Sequence, residues 1–225
     1  MSNGGIDMIS AEIIEKEGLI VIFRGVALEK IGKTVEALYN GGVRIVEIAF
    51  NPSDKDTISK TTALIRKVKE VMGDKMLVGA GTVISEEFVL AAYEAGAEFI
   101  FSPDTDVDII RLTKKLGLIS IPGALTPTEC KTAYKNGADI VKLFPATIND
   151  IDYITGITRP LSHIPFICVG GTNENTIEAF IKAGAKGVGT GISILKPELI
   201  ENEDYIEITR LAKLHIEKIK EARKA

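Results

Sequence analysis

The sequence predicts a single (β/α)8 TIM barrel, an α/β fold, with an extra helix before the first strand. Three observations predict it. Eight short, nearly continuous apolar runs punctuate the 225 residues, as parallel strands covered on both faces require. Segments with helical period separate those runs. One unit also recurs: a helix-like stretch ends in Gly, a charged residue follows, and an apolar run begins. Its copies are "ALYNGGVRIVEIAF", "AAYEAGAEFIFSP", "TAYKNGADIVKLFPA" and "AFIKAGAKGVGTGI". A doubly wound open sheet is the competing architecture for the same alternation.

The elements follow in order. The extra helix is expected over about residues 7–17. The strand runs are "LIVIFRGV", "RIVEIAF", "MLVGAGTV", "FIFSPD", "LISIPGA", "IVKLFPA", "FICVGG" and "GVGTGIS". Between them, Val35, Leu38 and Tyr39, then Phe88, Ala91, Ala92 and Ala95, keep helical spacing. Ser85 with Glu87 close behind, and Thr126 before Pro127, mark helix starts. A last helix, about Tyr205–Ala222, carries Ile208, Leu211, Leu214 and Ile219. No low-complexity linker breaks the chain, so residues 1–225 read as one domain.

Composition narrows the function classes. The chain is 45% hydrophobic with a mean hydropathy of +0.18, so it can bury a large core. A net charge of −4 with no basic patch argues against nucleic acid. No long apolar run or leader appears, so a cytoplasmic protein without a membrane span is expected. Cys130 and Cys168 offer no disulfide framework and read as reduced thiols. "DTDVD" (Asp104, Asp106, Asp108) mimics a calcium loop. Ile109 and Lys115 stand where that loop needs Gly and Glu, so a helix-start acid cluster is expected. His163 and His215 lack metal-ligand spacing. "GAGTV" lacks the dinucleotide fingerprint. No metal and no cofactor are expected.

Charged residues inside the runs carry the functional reading. Arg24, Glu47 and Lys142 interrupt three of them late in the strand. Side chains alternate along a strand. If Lys142 points inward, so do Ile140 and Phe144, while Val141 and Leu143 face the helices. The same parity places Glu47 inside with Ile45, Ala49 and Asn51, and Arg24 with Ile20 and Ile22. Active sites of this fold occupy the C-terminal face. A snorkelling or ion-paired lysine is the competing reading of Lys142. Three charges buried together cost several kcal/mol per ion before pairing, which favours a functional pocket. A desolvated lysine beside a second cation loses its proton more readily. The neutral amine can then attack a ketone and form a Schiff base. Glu47 can move protons. Arg24 can hold a carboxylate or phosphate as a fork. Gly170, Gly171 and Gly191 close the seventh and eighth runs and let backbone approach an anion. Helix N-termini beyond them would add N–H groups. Thr82, assigned inward parity at its strand end, reads as a substrate contact.

These residues resemble a known family, the 2-keto-3-deoxy-6-phosphogluconate (KDPG) and 4-hydroxy-2-oxoglutarate (KHG) aldolases. The marks are "GGVRIVEI", "VGAGTV", "FIFSP", "IPGALTPTE", "VKLFPA" and the Gly pair after strand seven, covering about Leu19 to the last helix. The resemblance implies a class I aldolase, usually a homotrimer, acting on a phosphorylated keto-deoxy sugar acid and releasing pyruvate and glyceraldehyde 3-phosphate. Lys142 matches the Schiff-base lysine and Glu47 the acid–base glutamate. Thr82 matches a contact to the pyruvate carboxylate, and Pro103 and Phe144 match pocket walls. Gly170, Gly171 and Gly191 match the phosphate loops. The sequence departs from the familiar pattern at Asn51, where many members carry Arg; Arg24 in "FRG" matches a first-strand Arg of other members. Val169 stands where KDPG enzymes commonly carry Thr. Ile192, then Ser193, stand where a Ser often follows directly. At Arg24, Asn51 and Val169 the chain is similar to the 2-keto-3-deoxy-6-phosphogalactonate (KDPGal) aldolases. KDPG cleavage, with KHG as a further substrate, therefore stands beside KDPGal cleavage. A non-catalytic sugar-phosphate-binding barrel is the reading from another class.

Overall fold

A computed structural model describes residues 11–146 and 151–224. Its strands are β1 (Leu19–Phe23), β2 (Ile45–Ala49), β3 (Leu77–Gly81), β4 (Phe99–Phe101), β5 (Ile119–Ile121), β6 (Gly123–Ala124), β7 (Val141–Leu143), β8 (Phe166–Val169) and β9 (Gly187–Thr190). All pair in parallel, in the order β5-β4-β3-β2-β1-β9-β8-β7-β6. β5 and β6 are two halves of one predicted run, parted at Pro122, which has no N–H to donate. The first half pairs with β4 and the second with β7. Lys142 N–H donates to Pro122 O at 2.9 Å and Asp139 N–H to Ser120 O at 2.9 Å. The fifth run thus joins both edges of the sheet and closes the barrel of eight units.

Helices cross between the strands: α1 (Glu12–Glu17), α2 (Leu28–Asn40), α3 (Thr57–Met72), α4 (Glu86–Glu94), α5 (Val107–Lys115), α6 (Pro127–Lys135), α7 (Ile151–Thr158), α8 (Ile177–Lys182), α9 (Pro197–Glu201) and α10 (Tyr205–Ala222). The last matches its predicted span. Residues 7–10 of the expected first helix lie outside the described residues. Ser85 caps α4, and Thr126 forms a capping box with Glu129 on α6. The acid cluster resolves as a cap, because Asp106 accepts from Asp108 N–H and Ile109 N–H at the start of α5. Among the described residues no helix is long and apolar enough to cross a membrane.

The recurrent Gly–charge–strand unit has a structural cause. Gly42, Gly96, Gly137 and Gly184 end their helices at φ 98°, 91°, 106° and 102°, where a Cβ is disfavoured. Two of the charges that follow then tie neighbouring strands. Glu98 accepts from Val78 N–H and pairs with Lys69; Asp139 accepts from Ser120 N–H and pairs with Lys114. Arg44 instead donates to the carbonyls of Tyr39 and Val43.

Alternation along the strands divides the apolar side chains into two cores. Val21, Val46, Val78, Val141 and Cys168 face the helices. Ile20, Ile45, Leu77, Phe99, Phe101, Ile140 and Ile167 fill the barrel. Ile14 of α1 packs into this inner set, so the extra helix plugs the end where the strands begin.

At the closing seam, a Cβ on Gly123 would stand 2.2 Å from the Pro103 carbonyl oxygen and 2.3 Å from its carbon. Backbone cannot rotate out of the way. Gly123→Ala is expected to destabilise by about 2 kcal/mol or more through overpacking, lowering the melting temperature by roughly 4 °C or more. An unchanged melt followed by circular dichroism would disprove that packing.

Candidate active site

Lys142 sits in the middle of β7, and the predicted parity holds. Ile140 belongs to the inner core and Phe144 packs against it, while Val141 and Leu143 belong to the outer one. Lys142 is only 4% exposed. Its Nζ lies 4.2 Å from the centroid of Phe101 and 4.5 Å from that of Phe144. Both ring faces attract a cation. Burial lowers the Lys142 pKa to about 8; the Glu47 carboxylate opposes the shift and Arg24 adds to it.

Glu47, in β2, is 1% exposed, and its Oε2 has no hydrogen-bond partner in the protein. Burial raises its pKa to about 7, against the fields of Lys142 and Arg24. Removing a charged group from water favours its neutral form. The same desolvation therefore acts on both groups in opposite directions on the pH scale and brings their pKa values together.

Glycines admit this arrangement. A Cβ on Gly81 would fall 1.3 Å from Glu47 Oε1, so the carboxylate occupies the space a side chain would fill. A Cβ on Gly79 would fall 2.4 Å from the Phe99 ring. Phe99 in turn meets Phe101 edge-on, with centroids 6.4 Å apart. Phe101 and Gly81 were not among the expected site residues. Inward parity of "GAGTV" beside Glu47 is the signal that identifies Gly81; for Phe101 the signal is inward parity in "FIFSP".

Strand parity fails at Arg24 and Thr82, and at Asn51, which lies beyond the end of β2 and is exposed. Arg24 is exposed at the barrel rim, not buried, because β1 ends at Phe23 and strand alternation ends with it. Only two of the three charges are therefore buried, and they are of opposite sign. Thr82 does not have inward parity: Gly79 and Gly81 point inward and Thr82 follows the strand at φ 55°. That left-handed turn, rather than alternation, brings Thr82 to the mouth.

Arg24 stands between two clefts. One, of about 500 Å³, is lined by Arg24, Ala49, Asn51 and Thr82. The other, of about 610 Å³, is lined by Arg24, Phe144, Val169, Gly170, Gly171, Gly191 and Ile192, with Thr172, Thr190 and Ser193. Asn51 is exposed and its Oδ1 accepts from Ser53 N–H at 3.2 Å, which turns the carboxamide oxygen toward its own loop. Pro103 is half-buried in the loop after β4, outside both clefts. Val169 is 5% exposed.

Gly170 and Gly171 have φ of 96° and 69°, which demand glycine. Gly191 has a different reason: a Cβ there would lie 2.7 Å from Ile22 O of β1. Ile192 is 76% exposed beside it. The helices expected to supply anion-binding N-termini are short, six residues in α8 and five in α9. A dipole of so few peptides is weak, so the backbone loops are the better anion contact. Among the described residues no group of three metal-ligating side chains occurs.

Known proteins resemble this chain in sequence and in fold. The family model for KDPG and KHG aldolase matches residues 9–211. The 2-dehydro-3-deoxy-6-phosphogalactonate aldolase of Escherichia coli is 32% identical over 79% of this chain and 84% of its own. The 2-dehydro-3-deoxy-phosphogluconate aldolase of Treponema pallidum is 29% identical over 89% and 93%. A solved native KDPGal structure superposes with a TM-score of 0.82 at 29% identity, covering 92% of this chain and 96% of that one. With the model spanning both buried charges and both glycine loops, the chain belongs to the KDPG and KHG aldolase family of lyases.

Proposed function

We propose that the chain cleaves a 2-keto-3-deoxy-6-phospho sugar acid through a Schiff base on Lys142. The single observation that carries this reading is a desolvated amine, held between two aromatic rings inside the barrel, in the field of a buried carboxylate. Neutral Lys142 attacks the C2 ketone, and the carbinolamine loses water to give an iminium. Glu47 takes the proton of the C4 hydroxyl. The C3–C4 bond breaks, its electron pair forms the enamine, and C4 leaves as the aldehyde of glyceraldehyde 3-phosphate. Glu47 returns its proton to C3. Water then hydrolyses the iminium and releases pyruvate and the free amine.

Arg24 and the backbone of Gly170, Gly171, Gly191 and Ile192 suit the phosphate end, in the larger cleft. Thr82 and Asn51, in the smaller one, suit the carboxylate end. Phe144 serves as a wall of the larger cleft. The homotrimer rests on the family resemblance, and the cytoplasmic setting on the reduced thiols and the absence of a leader-like run in the sequence.

KDPG is the first substrate, with KHG beside it. Val169 favours a second reading, the galactonate epimer. It sets an apolar side chain in the cleft where a hydroxyl would otherwise contact the sugar, and the 32% identical relative carries that activity in its name. Side-by-side cleavage rates on the three keto acids, with pyruvate measured by a coupled assay, decide between them.

Borohydride reduction in the presence of pyruvate is expected to label the peptide holding Lys142, and Lys142→Met to abolish both label and turnover. A label elsewhere, or an active variant, refutes the nucleophile. Gly81→Ala is expected to displace Glu47 and slow cleavage by about 10²-fold or more, the scale of lost general acid–base catalysis. Retained activity in a folded variant would show that Glu47 need not occupy that space. The pH profile follows from the two shifts. Attack needs neutral Lys142 and C4 deprotonation needs ionised Glu47, so kcat/KM rises through about pH 7–8 and then levels. A rate still climbing beyond pH 10 would mean an ordinary solvated lysine.

A further inference from the structure

His215 of α10 is wholly buried, and the cleavage chemistry does not use it. Its Nδ1 lies 2.8 Å from Leu211 O. A carbonyl oxygen only accepts, so Nδ1 carries a hydrogen. Its Nε2 lies 3.0 Å from Ser193 Oγ. Ser193 Oγ lies 2.6 Å from Thr190 Oγ1, and Thr190 Oγ1 donates to Thr172 O at 2.9 Å. A chain of three contacts thus runs from α10 to the wall of the larger cleft, which Thr172, Thr190 and Ser193 line.

The proton count of this chain is informative. With neutral imidazole, Ser193 and Thr190 supply two hydrogens for three contacts, and one contact is left without a hydrogen. With a hydrogen on Nε2 every contact is filled: His215 donates to Ser193, Ser193 to Thr190, and Thr190 to Thr172 O. Burial opposes that charge and lowers the pKa. Glu174, with Oε2 at 4.0 Å from Nε2, is the ionisable group that faces the ring among the described residues. A second nearby negative charge would tip the balance.

We propose that His215 is a positioning residue for the anionic end of the substrate: an anion seated in the larger cleft draws a proton from solvent onto Nε2, which completes the Ser193–Thr190–Thr172 chain and sets a buried positive charge behind the cleft wall. The inference rests on the reading that phosphate occupies this cleft. Sulfate is the probe, because its charge does not change between pH 6 and pH 8. Its inhibition constant against the phosphorylated substrate is measured across that range for wild type, His215→Gln and Ser193→Ala. One linked proton changes affinity by up to tenfold per pH unit. Sulfate is therefore expected to bind wild type about tenfold more tightly at pH 6 than at pH 8. The dependence should be about tenfold smaller in His215→Gln, whose thermal melt verifies folding, and in Ser193→Ala, which breaks the chain at the cleft; the part contributed by Glu47 and Lys142, which titrate in the same range, is common to all three proteins. A flat wild-type profile, or equal slopes in all three proteins, overturns the proposal. Sulfate that fails to compete with phosphorylated substrate overturns the placement of phosphate itself.

Discussion

Everything at this site depends on keeping the Lys142 amine out of water beside a buried carboxylate. Desolvating an ion costs several kcal/mol, and a lone buried ammonium would be eliminated by burial alone. Here the cost is divided. Glu47 supplies the opposite charge, and the faces of Phe101 and Phe144 supply quadrupole attraction. Neither compensation is a hydrogen-bonded ion pair, so the amine is left free to react. A direct salt bridge would hold it protonated. The arrangement therefore trades stability for an amine that gives up its proton more readily than a solvated lysine.

The barrel makes this compromise possible by leaving side chains out. Gly79, Gly81 and Gly123 each stand where a Cβ would collide with a neighbour: the Phe99 ring, the Glu47 carboxylate, or the Pro103 backbone. A closed barrel of parallel strands has little interior room, and its inward positions are otherwise filled by Ile, Leu and Phe. Glycine at Gly81 turns one filled layer into a berth for a carboxylate. Arg24 at the rim then lines both clefts of the mouth.

Much of the site was legible before any coordinates. Period-two alternation placed Lys142 and Glu47 inside, because both lie within hydrogen-bonded ladder. It failed for Arg24 and Thr82 for one reason: each lies just past the last paired residue, where nothing enforces the pleat. Asn51 shows a related effect, since its side-chain oxygen serves the loop that follows β2. The helix N-termini expected to hold phosphate proved too short for that role, a matter of helix length that composition does not reveal.

By itself, the sequence determined the number and order of strand–helix units, the inward faces of β1, β2 and β7, the caps of α4 and α6 and the family, because these rest on local geometry and on short motifs. Only the tertiary structure decided which ring lies over Lys142, which glycine makes room for Glu47, that Arg24 lines both clefts, and that His215 reaches Ser193. Those are contacts between distant segments. Their distances are set by how the barrel closes, through a fifth run parted at Pro122, and no local pattern encodes that closure.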